Sequence, residues 1–337
     1  MTPRRIAATL LALGLVPFAG WTALRLLGAE RGAPAVQLIA FTPYVALASL
    51  LPLAIALGMR LYRHAVAAGV ITVVLAGCVL PRLVPCDGAP VGSASAGARP
   101  YGAASDGARL RVLAANLFVG AADPGALVGV VRDRRVDVLA LQELTPAEAT
   151  ALDAAGLATL LPYRTSSPAP GGAGSGVYSR YPLDDPGVRR LPWCHLQSYA
   201  TVRVPGARPV LAESAHPCAP SDDAAARQWA ADIAVEPPAT PSGELRVLLG
   251  DFNSTLDHGG LRAVLDSGYR DAAATLGDGL DPTWPYLDGT VHGLPIPPVT
   301  LDHVLADPRL GVRSFDVVPI TGSDHHAVLA ELTVPAA

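Results

Sequence analysis

Six clusters of polar side chains stand where apolar, strand-like runs of this sequence end. Asn116 follows the run 110–115, and Gln142 with Glu143 follows 136–141. His216 ends a hairpin whose arms are 198–204 and 209–214, and Asp251 and Asn253 follow 245–249. Asp302 and His303 lie within 300–305, and Ser323, Asp324 and His325 precede 327–332. Singly, each has a bland explanation: an Asn after a strand is commonly a turn residue, and Asp251 with Asn253 suits an Asx-turn that caps the next helix. Six together would converge on one rim of a sheet sandwich and combine Asp with His in acid–base spacing, which turns alone do not require.

Holding such a rim takes alternating strands and helices, and residues 109–337 supply them. The runs 110–115 and 136–141 read as buried strands, joined by a helix over 124–134 with Asp123 at its N-cap and Pro124 at its first position. Later strands are expected at 176–179, in both hairpin arms, and at 245–249, 300–305 and 327–332. Helices are expected at 147–155, 222–235 and 260–265, with proline-rich loops at 166–175, 236–242 and 281–298. The expected class is α/β, with two packed mixed β-sheets flanked by helices.

The motifs around these residues resemble one known family. NLFVG at 116–120, LALQEL at 139–144, GVYSRYPL at 176–183, HPCAP at 216–220, GDFNST at 250–255, TWP at 283–285, LDHVL at 301–305 and GSDHHAVLAEL at 322–332 occur in the order of the endonuclease/exonuclease/phosphatase superfamily. The resemblance spans residues 109–334, and GDFN followed by LDH and SDHH is its most specific part. It implies a four-layer α/β sandwich of the DNase I-like kind and a metal-dependent phosphatase or phosphodiesterase. With the apolar stretches that precede the domain, the chain also resembles the membrane-bound actinobacterial branch that includes the VanJ-type teicoplanin-resistance proteins. That likeness implies hydrolysis of a lipid-linked pyrophosphate of the undecaprenyl type, with links to cell-wall lipid cycling and glycopeptide resistance. The alternatives are a phospholipase C or sphingomyelinase-like diesterase, an extracellular nuclease, and a catalytically silent membrane-tethered adaptor. Against the adaptor stands the full set of Glu143, Asp251, Asn253, Asp302 and His325, for which a silent domain has no physical need.

Phosphoryl transfer to water needs a cation to neutralise charge, a base for the water and donors for the transition state. By the resemblance, Glu143 is the Mg²⁺ ligand, with Mn²⁺ as the alternative ion. Asn116 orients the metal or a phosphate oxygen, and Asp324 supports the metal. His325 is the base, held by Asp302; Asp251 and Asn253 position the nucleophile and the scissile phosphate; His216 donates to the phosphoryl oxygens. The physical chemistry agrees, since a hard cation prefers carboxylate oxygen and a nearby carboxylate stabilises an imidazolium. His326 is expected on the opposite face from His325, and His303 in a supporting position. His195, His258 and His292 read as surface histidines, and Trp284 as either a packing residue or a substrate-facing lip. Motifs of zinc hydrolases, nucleotide kinases and serine hydrolases are missing.

Of the 337 residues, 50% are hydrophobic and 16% charged, too apolar for an ordinary soluble enzyme. The excess lies in residues 1–86, a membrane module with three transmembrane helices expected at about 6–26, 36–59 and 64–84. The first stretch also has the flanks of a signal peptide, but two further spans follow at once, which favours an anchor. Arg4, Arg5, Arg60 and Arg63 fall on one side of such a module; Arg25, Arg31 and Arg82 fall on the other, offset by Glu30. The positive-inside rule then puts the N-terminus in the cytoplasm and the catalytic domain outside it, with the inverted orientation as the alternative on so close a count. Residues 87–108, small and Gly/Pro-rich, read as a flexible linker, and 109–337 as the catalytic domain. Beyond residue 86 the chain carries 18 basic and 28 acidic residues and no lysine, a poor surface for a nucleic-acid backbone. Cys194 and Cys218 each stand twelve residues from Gly206, the turn of the hairpin. A disulfide between them is geometrically open and would imply an oxidising compartment; two separate buried thiols are the alternative.

Overall fold

The computed structural model describes residues 2–86, 107–193, 195–286, 290–291 and 294–337. The apolar N-terminal third folds into α1 (Pro3–Leu27), α2 (Ala33–Ile39), α3 (Thr42–Ala48), α4 (Leu50–Gly58) and α5 (Tyr62–Val79), which ends in a 3₁₀ turn at Leu80–Leu83. Helix α1, with 25 residues, is roughly 37 Å long against a hydrocarbon core of about 30 Å. Two stretches, Pro3–Leu27 and Tyr62–Leu83, are long and apolar enough to cross a membrane; Ala33–Ile39 with Thr42–Gly58, bent by 69°, makes a third if counted as one span. The middle stretch, expected as one helix, is therefore broken at Ala40 and Phe41. Pro43 has no N–H to offer the Ile39 carbonyl, and the Thr42 hydroxyl donates to that carbonyl instead, at 2.7 Å. At one end of the bundle Arg4 donates to the Arg60 carbonyl at 3.2 Å, while Arg25 and Arg82 meet at the other end, against the rest of the protein.

Residues 107–337 form two six-stranded sheets. The first contains β1 (Gly107–Asn116), β2 (Val138–Gln142), β3 (Tyr163–Ser167), β4 (Ser175–Ser179), β13 (Gly311–Pro319) and β14 (His326–Pro335) in the order β13-β14-β1-β2-β4-β3. The second contains β5 (Leu183–Arg190), β6 (Leu196–Val202), β7 (Val210–Ala215), β8 (Leu245–Asp251), β9 (Arg270–Asp271) and β12 (Asp302–Ala306) in the order β5-β6-β7-β8-β12-β9. A small ladder, β10 (Thr290–Val291) with β11 (Leu294–Pro295), stands apart. Val112, Ala114 and Val138 of the first sheet pack against Val210, Val247 and Val304 of the second. Helices α6 (Pro124–Asp133), α7 (Pro146–Ala154) and α8 (Leu157–Leu160) cover the outer face of the first sheet. Helices α9 (Asp223–Ala234) and α10 (Gly259–Asp266) cover the second, and α11 (Ala272–Leu276) follows β9. The result is a four-layer sandwich. The β6–β7 register, Tyr199 opposite Glu213, is centred on Gly206; Cys218 is disulfide-bonded, and Cys194 lies outside the described residues.

The bundle is docked on this sandwich by more than the linker, most of which lies outside the described residues. Ala33 and Val36 of α2 join the buried cluster that contains Trp229, Leu261 and Val264. The Asp223 carboxylate accepts from the Ala33 N–H at 2.8 Å, and Gln37 donates to the Pro220 carbonyl at 2.8 Å. Asp257 is fully buried and takes Arg25 Nε on Oδ1 at 2.6 Å and Arg82 Nη1 on Oδ2 at 2.8 Å. His258 is a correction to the sequence reading. It is 2% exposed because α2 covers it, with Nε2 at 2.9 Å from the Val36 carbonyl.

Burial pushes the Asp257 carboxyl up, but Arg82 and Arg25 outweigh it and hold the group below its usual 3.8. Its stabilisation is therefore complete above the usual value and fades as pH falls below it. Asp257→Ala in the full-length protein strands two buried guanidinium groups and is expected to cost about 3–5 kcal/mol, read as a lowered thermal midpoint in detergent. The gap from the parent should shrink in acid; an unchanged midpoint at neutral pH would contradict the docking.

Candidate active site

Strand register gathers the polar clusters at one rim. In the parallel β1–β2 pair Asn116 lies opposite Gln142, so Glu143 follows one residue beyond. In the antiparallel β8–β12 pair Asp251 lies directly opposite Asp302. His216 is the first residue after β7, and His325 the last before β14. Gln142 pins the two sheets together beneath the rim: its Nε2 donates to Ser214 Oγ at 2.8 Å, and that hydroxyl donates to the Leu141 carbonyl at 2.8 Å. Gly250 is required here, since a Cβ would lie 2.2 Å from the Ala215 carbonyl oxygen and 2.7 Å from Gln142 Nε2.

At the centre Asn116 Nδ2 donates to Glu143 Oε1 at 3.1 Å and to Asp251 Oδ2 at 3.0 Å. The Val119 N–H donates to Glu143 Oε2 at 2.6 Å, and the Asn253 N–H to Asp251 Oδ1 at 2.7 Å. These contacts need backbone at positive φ: 58° at Glu143, 47° at Asn253 and 55° at β-branched Val119. Such conformations cost about 1–3 kcal/mol each and concentrate where function over-determines them. His325 Nδ1 pairs with Asp302 Oδ2 at 2.8 Å, which leaves Nε2 facing Asp251 at 3.7 Å. Thr283 Oγ1 fixes Asp302 by accepting its N–H at 3.1 Å, and Ser323 Oγ, bonded to the Asn116 carbonyl at 2.7 Å, accepts the His325 N–H at 3.1 Å. His216 Nε2 faces Glu143 and Asp251 at 3.8 and 3.7 Å. Asn253 Nδ2 is turned to the Pro217 carbonyl at 3.0 Å.

A model of the Endonuclease/Exonuclease/phosphatase family matches residues 113–325, which takes in every one of these side chains. The chain belongs to this family. Endonuclease/exonuclease/phosphatase enzymes are hydrolases acting on phosphoester bonds and usually employ divalent metal ions. Among solved structures, an endonuclease/exonuclease/phosphatase from Beutenbergia cavernae is 20% identical over 67% of this chain and 72% of its own, with a TM-score of 0.52. A family protein from Bacteroides thetaiotaomicron is 15% identical over 68% and 99%, with a TM-score of 0.51. D. rerio TDP2 in complex with a single-strand DNA product is 15% identical over 67% and 99%, with a TM-score of 0.52. These likenesses concern the fold. No curated protein matches the sequence.

The donor set suits a hard cation. Ligand atoms of Asp251, Asp302 and His325 lie within 4.8 Å of one another. Asp302 Oδ2 is engaged by His325, and the carboxylates of Asp251 and Glu143, bridged by Asn116, stand beside that pair as oxygen donors of the kind a hard cation takes. Asp302 Oδ1 and Asp324 Oδ1 are buried without a partner, acceptor capacity that a cation or its waters can take up. Asp324 is held by Trp284 Nε1 at 3.2 Å. That indole also lies 6.3 Å from the His325 ring, so of the two sequence readings Trp284 takes a place beside the site.

Two supporting histidines lie off the rim: His303 is held between Asp271 and the Ser254 carbonyl at 2.8 Å each, and His326 stacks on Tyr286. His195, expected on the surface, stacks on His216 at 4.0 Å and bonds its carbonyl through Nδ1 at 2.9 Å. That placement corrects the sequence reading, and its irregular loop gave no periodic signal for it. His292 lies outside the described residues.

Burial, with His195 and His325 nearby, pushes His216 well below its ordinary value, so it stands neutral and able to donate. Burial also pushes Asp251 up to about 7. Burial opposes the charged form of His325, but Asp302 and Asp251 outweigh it and raise the imidazole to about 10. A base must shed its proton to act, so activity that depends on His325 should rise with pH. Asp302→Asn removes a carboxylate that raises His325, and the limb of the pH–rate profile is expected to move to lower pH with a reduced maximum. An unmoved limb would take Asp302 out of this pairing. His325→Ala is expected to lower kcat by about 10²- to 10⁴-fold with an unchanged circular dichroism spectrum; activity within a few-fold of the parent would show the base to lie elsewhere.

Proposed function

We propose that the protein is a multi-pass membrane hydrolase that cleaves a lipid-linked pyrophosphate of the undecaprenyl type at the extracytoplasmic face of its own membrane. The observation that carries this reading is the packing of the rim against the broken apolar stretch. Ala40 packs in one cluster with Val299 and Leu301, against which Phe41 and Trp284 also lie, and Trp284 holds Asp324 beside His325. A headgroup phosphate held at this rim through a cation on Glu143 and Asp251 would have the apolar helices beside it to take its hydrocarbon. The VanJ-like architecture supports the same reading, and with it a role in glycopeptide resistance.

In this mechanism Glu143 and Asp251 would hold the cation, Mg²⁺ with Mn²⁺ as the alternative, with Asn116 fixing their spacing and Asp324 in support. When bound, the cation neutralises phosphate charge and offsets the carboxylates that keep the proton on His325. His325 Nε2 takes a proton from the attacking water, whose oxygen bonds to the terminal phosphorus as the bridging P–O bond breaks, releasing inorganic phosphate and the lipid monophosphate, and Asp302 stabilises the imidazolium at Nδ1. Asp251 and Asn253 orient the water and the scissile phosphate, and neutral His216 donates to a phosphoryl oxygen. A Cys194–Cys218 disulfide belongs with the extracytoplasmic placement.

The test is phosphate release by the full-length protein from lipid pyrophosphates, lipid phosphodiesters and DNA, each with and without EDTA. EDTA-sensitive release from the lipid pyrophosphate is expected. Preferential cleavage of DNA would replace the reading with a nuclease, and preferential cleavage of the phosphodiester with a phospholipase-like enzyme.

A further inference from the structure

The break in the middle apolar stretch leaves a cavity of about 260 Å³ between the helical bundle and the sandwich. Its walls are largely apolar. Pro43, Tyr44 and Leu47 of α3 line one side, and Leu256, Leu280 and Val299 of the sandwich line the other. Leu47 and Tyr44 are 68% and 40% exposed, so this wall is continuous with the outer, apolar surface of the bundle, and the Tyr44 hydroxyl donates across to the Pro298 carbonyl of the sandwich at 2.7 Å. At the inner end Val299 pairs with Trp284 through both backbone groups, at 2.7 and 3.0 Å, and Trp284 is the residue beside His325. Val299 and Asp302 are three residues apart, at most about 11 Å along the chain. One wall of the cavity, Val299, is thus bonded to the residue that stands beside the candidate active site, although no residue of that site lines the cavity itself.

We infer that this cavity receives the part of a substrate lipid's hydrocarbon chain next to its phosphate headgroup, and so selects lipid-borne phosphates over water-soluble ones. The inference rests on the hydrolase reading above and adds the site that recognises the chain. The volume is close to the lower end of the roughly 300–1,000 Å³ of ligand pockets, enough for a short stretch of chain. The remainder would stay in the bilayer beside α3. Among the described residues Arg82 is the cationic side chain that lines the cavity, and it is spent on Asp257 rather than open to a headgroup. An apolar tail with its phosphate directed past Trp284 is the occupant that suits both ends.

The experiment uses the full-length protein in lipid nanodiscs with a prenyl pyrophosphate that carries a photoreactive group in the isoprene unit nearest the phosphate, and cross-linked peptides are mapped by mass. Label is expected in segments 42–48 and 298–300, displaced by unlabelled prenyl pyrophosphate. Leu47→Trp and Leu280→Trp, from opposite walls, should each abolish that label; Val66→Trp on α5, which is 67% exposed and not part of the cavity, should not. In the two wall variants the KM for the embedded lipid should rise about tenfold, as expected for losing roughly two buried CH₂ groups. Label spread evenly over α1 and α5, indifferent to both wall variants, would overturn the inference even if the lipid is hydrolysed. Displaceable label in the cavity without phosphate release would uphold the chain site and reject the hydrolase reading.

Discussion

A carboxylate with no access to water, gripped by arginines from two separate helices, joins the apolar bundle to the sandwich. Asp257 pairs with Arg25 at the end of α1 and with Arg82 beyond α5, some 230 and 175 residues away in the chain, respectively. Any one of the three, left alone at this depth, would be strongly unfavourable, so the ion pairs make docking close to all-or-none. The same loop begins at Asp251 and Asn253, and Asp257 is anchored to it by its own N–H, which donates to Thr255 Oγ1 at 3.2 Å. The geometry of the candidate site and attachment to the bundle are therefore set within seven residues of one another.

The rim itself is built on a second electrostatic constraint. Glu143, Asp251 and Asp302 converge, with His325, His216 and Asn116 facing them among the described side chains, and the first consequence is a proton held tightly on His325. Strained backbone at Glu143, Val119 and Asn253 keeps the carboxylates together against their repulsion. Such a cluster is poorly arranged for a resting protein and well arranged for a divalent cation, whose charge would relieve it.

Much of the sandwich was legible because its strands are short apolar runs with a single reading, and because polar residues at strand ends in both sheets fall on one rim whatever the details of register. The edge strands were not. β5 carries Asp184, Asp185 and Pro186 and shifts register between Asp184 and Gly187, while β13 mixes Arg313, Ser314 and Asp316 into its apolar residues. Contacts between distant segments leave no local pattern at all. Arg25 and Arg82 read as flanking charges of membrane helices; nothing near them in sequence announces Asp257. His258 looked like a loop histidine because the carbonyl that buries it belongs to Val36, 222 residues earlier. His195 gave no sign that it would stack on His216, since a loop imposes no spacing on the residues it brings together.

In the proposed reading, bundle and sandwich together hold the candidate site beside the membrane that the apolar helices would cross, and confinement to that layer would set the effective substrate concentration. The direct measurement compares phosphate release from lipid pyrophosphate placed in the same vesicles as the full-length protein with release from lipid in separate, protein-free vesicles of the same composition. Turnover confined to the shared vesicles is the predicted result. Equal rates on both populations would mean that the catalytic rim reaches substrate without regard to its own bilayer, and would contradict the account.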